Sequence, residues 1–225
     1  MNEIPEDFTP AFTQAIPEDL RVINLGLPKS GTTTLGEALK RAGMHVADWK
    51  IRHGQSKHMR GFVGRLMYAG YYGSGDPLEH LHEFNAFTEI EIVREGKNLW
   101  PQTDWALLAA IRAHYPGAKF ILSYRDAEKH ADSMRRWSNL GKSRLPGNAV
   151  PGLPEGFGRE PGELERWIDG HKAFCRQVFA GADDYMDYDV ADPDAQGKIA
   201  DFLGIELPWW GKANVNENHP EGETV

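Results

Sequence analysis

A single cysteine, Cys175, among 225 residues excludes an intrachain disulfide and suits a reducing compartment. Its expected role is that of a small buried side chain in a helix. Positive charge is also scarce. Lysines and arginines number 25 against 33 aspartates and glutamates, and the resulting net charge of −8 gives nucleic-acid binding no general electrostatic support. Basic groups that hold an anion must therefore be concentrated locally. No apolar run approaches the about 18 residues needed to cross a bilayer, and the first residues show no basic segment followed by an apolar one. The expectation is a cytoplasmic protein with no membrane span. His53 and His58 lack partners at metal-ligand spacing and read as surface histidines. No internal repeat is evident. What remains is a globular composition, 40% hydrophobic, sufficient for one core and a single domain over 1–225.

The chain is organised around Arg21 to Gly43. Val22, Ile23 and Leu25 form a short β-branched, apolar run that ends at Gly26, and Leu35, Ala38, Leu39 and Ala42 then recur at helical spacing before Gly43, a left-handed C-cap. Between strand and helix, Leu27 to Thr33 aims successive backbone N–H groups and a helix N-terminus at one point, the arrangement that holds an anion such as a phosphate. Gly26 and Gly31 are separated by four residues, as in a nucleoside-triphosphate P-loop. The lysine that a Walker A loop places directly after its second glycine is missing, however. Thr32 stands there, and the loop's lysine, Lys29, lies inside it. A Mg-ATP site is therefore disfavoured.

Residues 1–20, with three prolines and five acidic residues, read as an N-terminal arm on the domain. His45 to Ala47 suits a short strand, and Asp48 to Tyr72, mixing basic residues with Trp49, Tyr68, Tyr71 and Tyr72, reads as a helical insert with either a solvated face or an acceptor-lining one. Gly75 to Ile92 ends in a candidate buried strand whose alternation puts Glu89 and Glu91 on one face, where a carboxylate could serve as general base. Thr103 to His114 reads as a helix, and Lys119 to Tyr124 as a strongly apolar strand. Arg125 follows that strand and Ser133 lies eight residues on, in the next helix. The two can converge on one phosphate, the arginine as a forked donor and the serine through its hydroxyl. Asn139 to Glu163 holds four prolines and six glycines in 25 residues, a long loop expected to act as a lid. Gly162 to Phe179 and Pro193 to Leu203 read as helices, with a strand at Asp184 to Asp189 between them.

The GLPKSGTTTL loop and the YPGAKFILSYRD strand together resemble the P-loop sulfotransferases that use 3′-phosphoadenosine 5′-phosphosulfate (PAPS), in their small bacterial type, with FLGIELP and NVNEN (Asn214 to Asn218) as weaker support. The resemblance implies an α/β, three-layer P-loop-type fold with a central, mainly parallel sheet flanked by helices, as the βαβ alternation also suggests. It implies that Lys29, Ser30, Gly31, Thr32, Thr33 and Thr34 hold the 5′-phosphosulfate and that Arg125 and Ser133 hold the 3′-phosphate. Lys29 would also stabilise charge on the leaving oxygen. Sulfuryl transfer needs alignment and charge stabilisation, and no metal is expected. Better-known cytosolic relatives carry their base as a histidine in a Thr-His-Leu-Pro stretch, which this sequence lacks; an acidic residue after a Phe-x-Ala-Phe-Thr stretch takes its place and falls on Glu89, with Glu91 and Asp104 in reserve. The acceptor is expected to be a small molecule, carbohydrate or lipid offering a hydroxyl or amine, with no nucleic-acid partner, and the chain is compatible with a homodimer. A P-loop nucleotide kinase or NTPase and a non-catalytic nucleotide-binding relative are the alternatives.

Overall fold

The computed structural model describes residues 14–94, 96–211 and 213. In chain order the main elements are β1 (Arg21–Asn24), α1 (Thr32–Arg41), β2 (Val46–Ala47), β3 (Lys50–Ile51), β4 (Gly61–Phe62), α2 (Val63–Ser74), β5 (Ala86–Phe87), β6 (Ile92–Arg94), β7 (Lys97–Leu99), α3 (Trp105–His114), β8 (Ala118–Tyr124), α4 (Ala127–Arg136), α5 (Glu163–Val178), β9 (Tyr185–Asp189) and α6 (Ala195–Leu203). Of the expected arm, the part from Gln14 onward lies on the domain, its Gln14 amide donating to the Ala42 and Glu206 carbonyls at 2.9 and 2.8 Å. Residues 1–13 and the Asn214 to Asn218 stretch lie outside the described residues.

Successive residues of β1 face opposite ways, which makes the layers. Val22 packs in a cluster with Leu35, Ala38 and Leu39 of α1 and Ile199 of α6. Ile23 packs on the other face with Leu107 and Ile111 of α3, Met67 of α2 and Phe179. In β8 the same alternation sends Phe120 and Leu122 to one cluster and Ile121 to the other. Strands apolar on both faces belong in a parallel sheet covered by helices on each side, and five strands pair in the order β2-β5-β1-β8-β9, every neighbour parallel. The expected α/β architecture is thus observed. With β5 on one side of β1 and β8 on the other, the segments leaving β1 and β8 start side by side, the place where open α/β sheets bind ligands.

Two local expectations are corrected. Residues 48–62 are not helical but contain the short antiparallel pair β3–β4, with Lys50 opposite Phe62 and Ile51 opposite Gly61; α2 starts only at Val63. Gly54, between the two strands, takes a φ of 86°, a left-handed conformation suited to turning the chain back. Glu89 and Glu91 are not on a strand either, since β5 ends at Phe87. The Asn24 side chain intervenes where the ladder would continue, its amide donating to Thr88 O at 2.9 Å. The chain then leaves the sheet and forms the β6–β7 hairpin.

The Gly/Pro-rich segment over 139–163 has more order than its composition suggests. It opens with a π-helical turn at Leu140–Arg144, and Leu140, Leu145, Val150 and Leu153 are buried in a third cluster with Trp100, Leu164 and Trp167. The Trp167 indole N–H donates to Pro151 O at 2.8 Å.

Candidate functional site

At the ends of β1 and β8 the surface opens into a cleft of about 1310 Å³. One wall is the loop between β1 and α1. The loop turns through two left-handed residues, Lys29 (φ 72°) and Gly31 (φ 89°), the second being the α1 N-cap and making no side-chain cap. The first helical bond runs from Leu35 N–H to Gly31 O (3.1 Å), so the N–H groups of Thr32, Thr33 and Thr34 precede the ladder and face the cleft end of the helix. That is the geometry and the dipole end suited to an anion.

The loop's shape is set from beneath and behind. Beneath it, Asn24 Oδ1 accepts from the Gly26 N–H (3.2 Å), the Ser123 N–H (3.3 Å) and the Ser123 hydroxyl (3.1 Å). The Ser30 hydroxyl lies 2.8 Å from the Ser123 hydroxyl and is fully buried, so Ser30 props the loop from inside rather than lining the cleft. A Cβ on Gly26 would come within 2.2 Å of Ser123 Oγ and 2.4 Å of Ser30 Oγ, and one on Gly31 within 2.7 Å of Val190 Cγ1. Behind the loop, three donors hold its carbonyls: His171 Nε2 on Leu25 O (2.7 Å), His130 Nε2 on Pro28 O (2.9 Å) and an Arg125 guanidinium N–H on Lys29 O (3.4 Å). With the carbonyls turned back, the amides point forward. Burial pushes His130 down to about 4, with Arg125, His171 and Lys29 adding to the effect and the Pro28 contact opposing it. His130 is therefore neutral near pH 7, with the hydrogen on Nε2 as the Pro28 carbonyl requires.

Lys29, Gly31, Thr32, Thr33, Thr34 and Glu89 share this cleft with Arg125 and Ser133. Arg125 leaves β8 and Ser133 is buried on α4, whose N-cap Asp126 accepts from the Lys129 N–H. The Lys29 ammonium sits 3.5 Å from the Trp137 ring centroid, just past α4. Burial lowers its proton affinity; Glu89 opposes this, and Arg125 and Arg136 add to it.

Glu89 accepts from the Thr32 hydroxyl at 3.4 Å. Burial raises its carboxyl above the usual carboxylate range, Asp48 adds to the rise, and the Thr32 contact, Lys29 and Arg144 work against it. Glu91 is more deeply buried, 4% exposed, and is raised by burial first and then by Glu89. Gln102 donates to its Oε2 at 2.9 Å. Both Glu91 Oε1 and Gln102 Oε1 are buried without a hydrogen-bond partner among the described residues. Asp104, the other reserve, does not line this cleft. It caps α3, accepting from the Ala106 and Leu107 N–H groups at 3.1 and 3.3 Å, and takes the Tyr68 hydroxyl at 3.2 Å.

Several cleft residues escaped the sequence reading: Asp48, Arg94, Arg136, Trp137, Arg144 and Trp210. Arg136 could have been found, because it lies one helical turn beyond Ser133 and shares its face. Arg94 and Arg144 carry no local pattern; they reach the cleft because a hairpin and a π-turn bring them there. Among the described residues no group of three or more His, Cys, Asp or Glu side chains is placed to hold a metal ion. No helix of the described chain is long and apolar enough to cross a membrane.

A family model described as a sulfotransferase domain matches residues 21–148, more than half of the chain and the part holding the loop, Glu89, Arg125 and Ser133. Comparison with curated proteins gave no match.

Proposed function

The chain belongs to the sulfotransferase domain family, and from that premise we propose that it moves a sulfuryl group from PAPS to a hydroxyl or amine of an acceptor. The observation that carries this reading is the joint placement in one cleft of an anion-binding loop with its lysine inside, a second cationic group at the end of β8, and a desolvated carboxylate. The residues fit such a donor. The forward amides of Thr32 to Thr34 and the ammonium of Lys29 suit its 5′-phosphosulfate, and Arg125 with Ser133 suits its 3′-phosphate. PAPS, when bound, supplies an activated sulfuryl group with a good leaving phosphate.

The protein's own groups then divide the work. The loop fixes the line of approach, which is worth much of the barrier when reacting atoms are held close. Lys29, mobile only as far as the Trp137 face and the cleft allow, stabilises the charge that builds on the departing oxygen. Glu89, with its raised proton affinity, accepts the acceptor's proton. Glu91, buried and hydrogen-bonded to Gln102, is less suited to that task. The segment over 139–163, which contributes Ser143, Arg144 and Asn148 to the cleft, covers the acceptor in this reading. The acceptor is drawn from small molecules, carbohydrates and lipids.

Calorimetric titration with 3′-phosphoadenosine 5′-phosphate (PAP) and PAPS against Mg-ATP tests the donor, and a screen for PAPS-dependent sulfation of phenols, sugars, amines and lipids tests the reaction. Binding of Mg-ATP in preference to PAP would return the chain to the nucleotide kinase class. PAP binding without turnover on any acceptor would leave a nucleotide-binding relative.

A further inference from the structure

Besides Arg125, two guanidiniums in the cleft, those of Arg94 and Arg144, hold no carboxylate among the described residues. Among the described residues Arg94 and Arg144 form no ion pair, whereas Arg52, Arg112, Arg135 and Arg176 each hold a carboxylate at 3.1 Å or less. The Arg144 Nε is buried with no hydrogen-bond partner, a charged donor left desolvated and unsatisfied. Arg94 is exposed at the end of β6. Its guanidinium lies 4.9 Å from the Trp49 ring centroid and 5.7 Å from that of Phe62, faces that fix a cation without neutralising it. Arg144 is fixed through its backbone, its N–H on Asn139 O at 3.0 Å and its carbonyl accepting from the Asn148 amide at 2.7 Å.

Electrostatic influence links these groups within the cleft. Lys29 is influenced by Glu89, Arg125 and Arg136. Arg144 is influenced by Arg94 and Glu89. Glu89 is common to both sets, so the donor-side lysine and the unpaired Arg144 act on the same carboxylate. Two like charges that act on each other across one cleft wall, neither holding a carboxylate among the described residues, are set for a bound anion.

We infer that the acceptor carries an anionic group of its own, a carboxylate or a sulfate or phosphate ester, clamped by Arg94 and Arg144 while its hydroxyl or amine faces Glu89. The inference rests on the sulfotransferase reading and narrows its acceptor class. Transfer forms the acceptor's O–S or N–S bond, breaks the donor's S–O bond so that the bridging oxygen leaves on PAP with the electron pair, and delivers the acceptor's proton to Glu89. The clamp takes no part in that exchange; it positions the acceptor.

Matched probes decide the matter. The full chain saturated with PAP is titrated calorimetrically with 4-nitrophenyl β-D-glucuronide against the glucoside, 4-hydroxybenzoate against 4-hydroxybenzyl alcohol, and galactose 6-sulfate and galactose 6-phosphate against galactose. The anionic member of at least one pair should bind about tenfold more tightly or better, and the pair that discriminates identifies the carboxylate or ester. Arg94→Gln and Arg144→Gln should each reduce that discrimination to within about threefold of unity, with PAP affinity unchanged. The exposed Arg94 keeps the test valid should Arg144→Gln not fold. Equal binding within every pair, or no binding of any probe, overturns the clamp. So does a loss of PAP affinity in the variants as large as the loss for the probe, because the arginines would then serve the nucleotide. Failure of the donor reading looks different: the parent chain would not bind PAP, and the pairs can still be titrated against the nucleotide-free chain.

Discussion

The Lys29 ammonium rests on the face of Trp137, 3.5 Å from the ring centroid, so the loop's cation is already held at the cleft before any ligand arrives. Its backbone is left-handed, with φ at 72°, and the Lys29 carbonyl is held by Arg125. Both features limit where the side chain can go. Lys29→Ala should abolish turnover. Trp137→Ala, which leaves the charge but removes its platform, should lower turnover by about two- to thirtyfold, the range that a cation–π contact of roughly 0.5 to 2 kcal/mol allows. Parental turnover in Trp137→Ala would show that the ring does not place the lysine.

Arg125 should behave otherwise. Among the described residues it makes one protein hydrogen bond, to the Lys29 carbonyl at 3.4 Å, which leaves the rest of its fork for the cleft. Arg125→Ala should weaken PAP binding by about tenfold or more, as expected on losing a charged hydrogen bond worth roughly 1.5 to 3 kcal/mol. If calorimetry finds PAP bound as tightly as by the parent, the 3′-phosphate is held elsewhere.

The carboxylates make a prediction in pH. Glu89→Gln keeps the shape and removes the base, and should cut turnover by about 10²- to 10⁴-fold with PAP affinity nearly intact. Asp48 raises the Glu89 pKa, so Asp48→Asn must lower it, and the acidic limb of the rate profile should move to lower pH, because the base form then persists further into acid. Glu91→Gln imitates the protonated acid that burial favours, with the Gln102 contact available, and should stay near parental at neutral pH. An acidic limb that moves upward in Asp48→Asn, or a Glu91→Gln enzyme as slow as Glu89→Gln, would transfer the base role away from Glu89.

How much of this could be read from the chain follows from the range of the forces involved. Val22, Ile23 and Phe120 to Leu122 announce buried strands because each residue's neighbours in sequence share its environment, and the loop from Gly26 to Gly31 is legible as a local glycine frame between strand and helix, although what requires Gly26 is the distant Ser123 hydroxyl. Arg125 follows from the strand before it by position, and Glu89 from the resemblance. The resemblance sets Ser30 among the phosphate ligands; its hydroxyl turns inward to Ser123, 93 residues away in sequence, a partner that no local pattern reveals. The end of β5 carries no local signal either: the Asn24 amide that takes up Thr88 O lies 64 residues before it in sequence. Asp104, a reserve base by its sequence position, caps α3 instead. The order within 139–163 comes from apolar anchors spaced too widely for any periodicity to show.

His130 provides a test of the scaffold rather than of the chemistry. Its imidazole is 1% exposed, donates to Pro28 O, and has a buried Nδ1 with no partner among the described residues. Its folded pKa is pushed down to about 4 from the ordinary 6.5, chiefly by burial. Between those values the unfolded chain binds a proton that the folded chain refuses, so stability must fall as pH drops from 6.5 towards 4, and the contribution is fully present above 6.5. Over that window one such group is worth roughly 3 kcal/mol. Glu89 and Glu91, whose pKa values are raised, act with the opposite sign: they take up protons on folding, and their burial costs stability as pH rises. The experiment is therefore a difference. Urea unfolding of the parent and of His130→Gln, whose amide can still donate to Pro28 O, should be compared from pH 4.5 to 7. The variant should lose the His130 component of the slope while keeping the loop bond, so its stability relative to the parent should rise as the pH falls. A constant difference across the range would mean that His130 titrates normally in the folded protein and that the back of the loop is open to water.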